Sequence, residues 1–238
     1  MYPLPLRLRL IAPALATCVL FGLAGCAAAP AGDGVVAPQL VVGDSWQYRV
    51  TDNLRRGIVS QLDAEVIAVS GRTARIRFAR VDANGRTEWV DEVDADGGLR
   101  SGSLWREPPR LFNPPAQLLA FPLDRGKTWR QVIDTVRKDT ELNDQILIYG
   151  AVDGRSATTV PAGGFDTVYV YRIVQLDDAD FWRTRTSVRD VLWYAAVAKA
   201  PVREEREAAY TEKGGRDLAT VRTESTVLEL VAFRSGGK

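Results

Sequence analysis

The sequence predicts an all-β fold: a curved antiparallel sheet that forms an open barrel or a sandwich-like structure. Two similar halves within this sheet are one arrangement that the sequence allows. Three observations support this class. Apolar and polar residues alternate with period two from Gly43 onward, as in strands with one buried face. Turn-forming pairs such as Asn-Gly separate the alternating runs. No long stretch carries the apolar stripe of an amphipathic helix.

Individual strands follow from this alternation. In TARIRFARVD, Ile76 and Phe78 share one face, while the arginines beside them share the other. Residues 165–174 (FDTVYVYRIV) are apolar on both faces, which is typical of a central strand covered on each side. Residues 203–213 contain helix-forming residues, but their apolar stripe is thin, so we predict a strand there too.

Pairs of Asn or Asp with a following Gly mark the predicted turns between strands. Asn84-Gly85 lies between two alternating runs and predicts a β-hairpin, because both residues tolerate a positive φ. Asp153-Gly154 in VDGRS is a similar pair and predicts another turn.

Two stretches suggest an internal repeat. VGDSWQYRV (42–50) and RGKTWRQVI (125–133) share Gly-x-[Ser/Thr]-Trp, with Trp46 and Trp129 at equivalent places. The alternative is that this pattern is a common start for a strand. With a duplication, the halves would be residues 43–101 and 125–238, joined by a Pro-rich apolar segment at 102–124.

The joining segment is too apolar to be left in water. Its prolines cannot donate to a sheet ladder, and its length is unusual for a plain connection. We expect it to fold back over the sheet. It either closes the core permanently, which we favour, or acts as a lid over a cavity through Trp105, Phe112 and Phe121.

The first 25 residues have the order of a secretory signal peptide: a basic start, an apolar run too short to span a membrane, and small residues. Residues 23–26 (LAGC) resemble the lipobox of bacterial lipoproteins. The resemblance implies cleavage between Gly25 and Cys26 and acylation of Cys26, palmitate included. The alternative is an ordinary signal peptide with an incidental cysteine. Residues 26–42 are predicted to be a flexible tether to a β-rich periplasmic domain at 43–238.

Residue 27 is Ala, whereas in enterobacterial lipoproteins an aspartate directly after the lipidated cysteine favours the inner membrane. By this resemblance the protein is expected on the outer membrane, lipid-anchored and facing the periplasm, with surface exposure left open. Several acyl chains would make detachment negligible, because each buried CH₂ contributes about 0.8 kcal/mol.

Composition excludes several classes of function. Removal of residues 1–25 leaves 29 basic and 30 acidic residues without a charged tail, which disfavours a nucleic-acid partner. Histidine is absent, and Cys18 and Cys26 are the two cysteines. Histidine-based triads, zinc sites and haem ligation therefore cannot form. We expect no cofactor, no metal site and no enzyme activity.

Four arginines are candidate ligands for an anion. In an extended strand Arg183, Arg185 and Arg189 share one face, and Arg172 would lie on a neighbouring strand. Their guanidinium groups could bind a phosphate or carboxylate of a lipid or cell-wall component. The alternative, which we favour, is pairing with the glutamates at 204, 205 and 207.

Two acidic runs resemble sites. Glu92, Asp94 and Asp96 imitate the start of a calcium loop, but Ser103 occupies the position of the required bidentate acid, so a solvated hairpin end is favoured. The aspartates at 177, 178 and 180 are consecutive acids before a strand and are expected to form a turn.

A family resemblance covers residues 40–235. FPLDRGKTW (121–129), VPAGGF (160–165) and WYAAVAKAPVREE (193–205) resemble the FPLxxGKTW, VPAGxF and WYxxxxxxPVRxE signatures of uncharacterised proteobacterial exported proteins and lipoproteins. Ala195 and Ala196 depart from the Ser/Ala-Pro that often follows WY. The resemblance implies a curved antiparallel sheet and carries over no catalytic residue.

The leading hypothesis is a non-catalytic, lipid-anchored envelope protein that acts as a binding or assembly module in the periplasm. Its partners would be the membrane, through the acyl chains, and another envelope protein or a lipid or cell-wall component. The rival is a carrier or receptor for a lipid or other hydrophobic ligand in a cavity of the sheet, by fold-level analogy with the lipoprotein-sorting carrier and receptor. An enzyme that uses carboxylates alone is a third hypothesis.

Overall fold

The computed structural model describes residues 34–104, 108–214 and 218–237. Strands make up most of these ranges, and the ranges contain no helix. Within the same part of the chain, no helix is long and apolar enough to cross a membrane. The strands are β1 (Ser45–Asp52), β2 (Ile58–Ser70), β3 (Thr73–Asp82), β4 (Gly85–Asp94), β5 (Leu99–Gly102), β6 (Arg110–Ala116), β7 (Thr128–Arg137), β8 (Asn143–Val160), β9 (Gly163–Gln175), β10 (Ser187–Ala195), β11 (Ala200–Thr211) and β12 (Thr220–Arg234).

The strands form a closed antiparallel barrel in chain order. Each strand pairs with the next, and β12 pairs with β1, so that Ser45 of β1 lies opposite both Arg234 and Glu65. The prediction of an all-β fold with a curved antiparallel sheet is confirmed, and the sheet is closed rather than open. Closure pairs the two edge strands with each other, which removes the unpaired backbone groups that an open sheet exposes.

Several local predictions are confirmed. Ile76 and Phe78 lie on the inner face of β3, and the arginines beside them are exposed. Asp82 pairs with Gly85 across the hairpin predicted at Asn84-Gly85, and Gly85 has a φ of 115°. The stretch predicted as a strand at 203–213 is β11.

Two local predictions were wrong. Asp153-Gly154 does not form a turn, because it lies within β8 at a register shift between Val152 and Gly154, which is a β-bulge. Residues 165–174 are not covered on both faces, since they lie in the barrel wall and Tyr171 on the outer face is 38% exposed. The outer aromatic residues pack on each other instead, with Tyr169 edge-on to Trp193 at 5.3 Å.

The predicted joining segment contains a strand of the barrel. β6 lies within residues 102–124 and pairs with β7 from Arg110 to Asn113, so the segment is not only a connection. Pro114 and Pro115 follow the last residue that pairs with β7, where a missing N–H costs no ladder hydrogen bond.

The chain before β1 packs against the barrel. The N–H of Val35 donates to the carbonyl of Leu123 (3.4 Å) and the N–H of Leu123 donates back (2.7 Å), while Leu40 contacts the core. The part of the predicted tether that the structure describes, from Gly34 to residue 42, is therefore packed, and the folded part begins before Gly43. Residues 26–33 lie outside the described residues.

The two Gly-x-[Ser/Thr]-Trp stretches make the same backbone hydrogen bonds. The N–H of Gly43 donates to Val66 (2.9 Å), and the N–H of Gly126 donates to Val152 (2.8 Å). In return, the N–H of Val66 donates to the carbonyl of Asp44, and the N–H of Val152 donates to that of Lys127, both at 2.8 Å. Both glycines adopt a positive φ, 90° and 80°, which side-chain-bearing residues avoid. The same local geometry therefore opens β1 and β7, which are six strands apart in a barrel of twelve.

Asp44 joins three segments at the end of the barrel where β1 begins. Its carboxylate accepts hydrogen bonds from the N–H groups of Val41 (2.9 Å) and Gly236 (2.8 Å) and from Lys199 Nζ (2.8 Å). Burial alone would raise the pKa of Asp44, but Lys199 and the two N–H groups hold it below its ordinary value. The buried carboxylate thus ties both ends of the barrel chain to the β10–β11 turn.

Candidate functional site: a cavity inside the barrel

The barrel contains a cavity of about 340 Å³. Its walls are inward-facing side chains of β1–β4 and of β9–β12, which are eight contiguous strands of the closed sheet. The size lies within the range of small-molecule sites, roughly 300–1,000 Å³. Six aromatic side chains line it: Trp46, Tyr48, Phe78, Trp89, Phe121 and Tyr194.

The cavity exists because the two sides of the barrel are filled differently. On the side of β5–β8, Ile133, Ile146 and Ile148 are fully buried and pack with Leu104 and Phe112. A twelve-stranded barrel is too wide for its own side chains to fill evenly, since eight strands already enclose a fully packed interior. The opposite side retains open space.

Residues 117–124, which follow β6, form the boundary between the two sides. The carbonyl of Gln117 accepts a hydrogen bond from Trp129 Nε1 (2.9 Å), and that of Leu118 accepts one from Arg172 Nη1 (3.0 Å). Leu118, Leu119 and Phe121 line the cavity, and Phe121 packs edge-on against Tyr194 at 5.4 Å. The segment is therefore an apolar wall of the cavity.

A buried ion cluster forms part of another wall. Arg172 on β9 donates from Nε to Asp190 Oδ2 (2.9 Å), and Arg206 on β11 donates from Nε to Asp190 Oδ1 (3.0 Å). Both arginines also contact Glu204 Oε1. We call these four residues the ion cluster. Asp190 is 0% exposed and would be costly to bury without these partners.

Burial and the surrounding charges shift the pKa values of Glu204 and Arg206 in the ion cluster. Burial raises the pKa of Glu204, Arg206 opposes that rise, and the nearby Asp190 adds to it. Although burial alone would lower the pKa of Arg206, the carboxylates of Glu204 and Asp190 hold it above its ordinary value. Arg206 is therefore held charged, and both arginines are already bound to carboxylates.

Two tyrosines that line the cavity differ in their hydrogen bonding. Tyr48 Oη donates to the carbonyl of Pro201 at 3.0 Å. Tyr194 Oη is buried and has no hydrogen-bond partner within the part of the chain that the structure describes. Burial raises the pKa of both phenols, so both are neutral O–H groups at ordinary pH. Tyr194 therefore retains a hydrogen-bonding group for a molecule in the cavity.

Asp91 is, after Tyr194, the second polar group of the cavity wall with unused hydrogen-bonding capacity. It lies on β4 and is 9% exposed, and its Oδ1 accepts one hydrogen bond, from the N–H of Ser103 (3.0 Å). Burial raises the pKa of Asp91 to about 7, and the single hydrogen bond only partly offsets this effect. No described cation lies within ion-pair distance of this carboxylate.

The four arginines proposed from sequence do not form one surface. Arg172 lies inside the barrel in the ion cluster, whereas Arg189 is exposed on the outer face of β10. Arg183 bonds Asp178 (3.1 Å) and Arg185 pairs with Asp177 (3.0 Å) in the loop between β9 and β10. The alternative of pairing with nearby glutamates holds for Arg172 and Glu204, at 3.5 Å.

The residues predicted to form a lid are also separated. Phe112 is buried in the filled side of the barrel, and Phe121 lines the cavity. Trp105, Gly25 and Cys26 lie outside the described residues.

The acidic runs act as turns and surface pairs. Asp94 Oδ1 accepts hydrogen bonds from the N–H groups of Asp96 (3.0 Å) and Gly98 (2.7 Å), which closes the β4–β5 turn. Glu92 faces Arg75 at 3.7 Å instead of converging with them. Across residues 34–104, 108–214 and 218–237, no group of three or more acids could hold a metal ion.

Sequence reasoning named Arg172 and Glu204 but did not single out Asp91, Tyr194, Asp190 or Arg206 as site residues. The signal was present for Asp91, a single acid on the face of β4 that also carries Trp89 and Val93. Arg172 likewise interrupts the inward apolar positions of β9. A charge on the buried face of an alternating strand indicates an interior polar site.

Comparisons with known structures show the fold. A presumed lipoprotein of Parabacteroides distasonis ATCC 8503 is similar with a TM-score of 0.52 and 13% identity, over 85% of this chain and 100% of that chain. A presumed exported protein with a YmcC-like fold from Bacteroides fragilis NCTC 9343 follows at 0.46 and 12%, over 85% and 99%. The hypothetical lipoprotein YmcC of Escherichia coli K12 gives 0.40 and 6%, over 81% and 85%. The sequence matches no protein-family model and no curated protein.

Proposed function

We propose that this chain is a non-catalytic envelope lipoprotein, anchored on the outer membrane through Cys26, whose barrel binds an amphiphilic ligand in its cavity. The observation that carries the proposal is a cavity of ligand size, lined by aromatic residues, with two underused polar groups in its wall. The partner class is thus a lipid or another molecule with an apolar body and a polar end.

The chemistry of the wall supports binding rather than catalysis. The chain has no histidine, and Arg172, Arg206 and Glu204 are engaged with one another. Acid–base catalysis by two carboxylates needs a second acid beside Asp91 that is free to exchange protons with a substrate, and Glu204 is engaged with Arg172 and Arg206. In the ion cluster each charge instead stabilises a neighbour of opposite sign.

The lipoprotein part of the proposal is supported by the LAGC stretch and by the similar fold of the presumed lipoprotein from Parabacteroides distasonis. We expect Cys26→Ser to abolish acylation, because the serine cannot carry the lipid. The protein should then appear either in the soluble fraction or as an uncleaved precursor. Fractionation and intact-mass measurement check this. Cys18→Ser, inside the predicted signal peptide, is the matched control and should leave the anchor unchanged. If both variants give the same mature membrane-bound product, or if the wild-type product carries no added acyl mass, the anchor is contradicted.

Filling the cavity should abolish ligand binding. Leu62 on β2 faces the cavity, and Leu62→Trp places an indole there. We expect at least a tenfold weaker affinity for a neutral apolar dye such as Nile red, because the added ring occupies the space that the dye needs. Fluorescence titration and native mass spectrometry measure the effect.

The matched control is Val59→Trp, on the outer face of the same strand, where the side chain is 57% exposed. It adds the same ring and should leave the affinity unchanged. If wild type binds neither dye nor co-purified amphiphile, the cavity proposal fails. Capture of a protein partner by cross-linking would then favour the assembly module without a ligand.

A further inference from the structure

We propose that the cavity selects an amphiphile whose polar end is a protonated amine, held by Asp91 and the aromatic wall. This inference rests on the proposed function and adds the chemical class of the ligand's polar end. It depends on which charges in the wall are already neutralised, on where Asp91 lies relative to the aromatic rings, and on the unpartnered hydroxyl of Tyr194.

The cations in the wall are already engaged. Arg172 and Arg206 are bound to the carboxylates of the ion cluster, and Lys199 is bound to Asp44 at 2.8 Å. Arg80 donates to Ser60 Oγ at 3.2 Å, and its Nε lies 4.0 Å from Asp82 Oδ2. An anionic head group at Arg172 or Arg206 would have to break a buried pair, which is strongly destabilising.

The carboxylates in the wall are less fully neutralised. Within the described part of the chain, neither Asp91 nor Asp94 forms an ion pair, and Glu224 is 3.9 Å from Arg206. Asp94 Oδ1 already accepts the two N–H groups of its turn and the residue is half-buried, whereas the buried Asp91 accepts one hydrogen bond, so Asp91 is the less satisfied of the two carboxylates. Each carboxylate oxygen can accept more than one hydrogen bond, and Asp91 receives one in total.

Aromatic rings flank Asp91. Trp89 is two residues before Asp91 on the same face of β4, and it stacks on Phe78 at 5.2 Å between ring centroids. Phe78 lies opposite Trp89 in the β3–β4 ladder, and Ile76 lies opposite Asp91. A cation near a carboxylate and over indole faces is favoured by both interactions, and desolvation strengthens the attraction to the rings.

Tyr194 gives an independent indication of a polar ligand atom. Its side chain is 2% exposed and lines the cavity, and Oη has no hydrogen-bond partner among the described residues. A buried hydroxyl without a hydrogen-bond partner destabilises the empty cavity, so a ligand that supplies the partner gains affinity. The oxygen of this hydroxyl, like a carboxylate oxygen, accepts a hydrogen bond from a protonated amine.

The test compares three probes with the same alkyl chain and different heads: decylamine, decanol and decanoate. The protein is the mature chain, residues 26–238, with Cys26→Ser, which carries every strand of the closed barrel. Isothermal titration at pH 8 should give at least a tenfold lower Kd for decylamine than for either other probe. Decanol or decanoate binding as tightly overturns the inference while the proposed function stands, and no binding by any probe overturns both.

The pH dependence of decylamine binding tests whether Asp91 is the carboxylate that holds the amine. Because the pKa of Asp91 is about 7, its charge is present above that value and is lost as the pH falls through it. Decylamine should therefore bind several-fold more weakly at pH 6 than at pH 8, while decanol binding stays constant. The other ionisable groups of the wall are Arg80, Asp94, Arg172, Glu204, Arg206 and Glu224, with Lys199 and the tyrosines at its edges.

Asp91→Asn should remove the preference for decylamine over decanol and the pH dependence of that preference. Glu92→Gln, on the outer face of the same strand beside Arg75, is the matched control and should retain both. Glu204 also has a raised pKa, so a pH dependence that survives Asp91→Asn assigns it to the ion cluster and overturns the role of Asp91. If Asp91→Asn does not fold, the comparison of head groups in the unaltered barrel still decides the ligand class.

Discussion

Replacement of Arg172 by methionine is expected to lower the free energy of unfolding by about 3–5 kcal/mol, the cost of breaking a buried ion pair from one side. The guanidinium contacts Asp190, Glu204 and the carbonyl of Leu118. Methionine keeps most of the volume but leaves Arg206 as the remaining cation for two buried carboxylates. Urea unfolding followed by tryptophan fluorescence, at constant pH, measures the loss.

The control for this prediction is an arginine pair on the outer surface. Arg77 bonds Glu65 across β2 and β3, and both side chains are more than a third exposed. Arg77→Met should cost no more than about 1 kcal/mol, because water screens such pairs. Equal losses for the two variants would contradict a special role for burial in the ion cluster.

The Arg172→Met variant should also change the cavity. The loss of the hydrogen bond from Arg172 to Leu118 frees the backbone of residues 117–124, which form the apolar wall. We therefore expect weaker Nile red binding together with the lower stability. Wild-type binding in a destabilised protein would show that the wall is held by other contacts.

Gly150→Ala is expected to lower the free energy of unfolding by about 2–4 kcal/mol, from overpacking of about 1–3 kcal/mol and a lost hydrogen bond of about 1 kcal/mol. Gly150 on β8 lies directly opposite Trp129 on β7. A Cβ at residue 150 would come within 2.0 Å of Trp129 Cζ2, so the indole must move. That movement breaks the bond from Nε1 to the carbonyl of Gln117.

Two measurements check the Gly150 prediction. Urea unfolding gives the loss of stability. Because the chain has six tryptophans, the exposure of Trp129 is read from the red shift of emission that Gly150→Ala causes and that Gly150→Ala combined with Trp129→Phe lacks. Gly154→Ala, on the same strand, is the control, because its Cβ would meet Arg125 Nε at an ordinary 3.8 Å. A change within about 0.5 kcal/mol is expected there. Comparable losses at both positions would mean that the close approach to Trp129 is relieved without cost.

The Arg172 and Gly150 variants both affect residues 117–124. Arg172 holds residues 117–124 from β9, and Trp129 holds them from β7. Whether this segment acts only as a wall or also as a lid follows from the same variants. Faster exchange of bound Nile red in Gly150→Ala, at unchanged affinity, is the behaviour of a lid.

The sequence by itself determined the kind of structure that forms. Period-two alternation identified strands such as the one that carries Ile76 and Phe78, and Asn84-Gly85 identified the hairpin after it. Even the helix-like composition of residues 203–213 was outweighed by their weak apolar stripe. These are local properties, because neighbours along a strand decide which face is apolar.

Tertiary structure alone decided closure and the site. The pairing of β1 with β12 joins residues about 180 positions apart, which no local pattern specifies. Asp153-Gly154 has the composition of a turn, but its pairing with β9 extends the strand through it as a bulge. Arg172 was grouped with Arg183, Arg185 and Arg189, although it lies inside with Asp190 and Glu204. Alternation shows that two faces differ, but which face meets distant charges and encloses space depends on how the whole sheet curves.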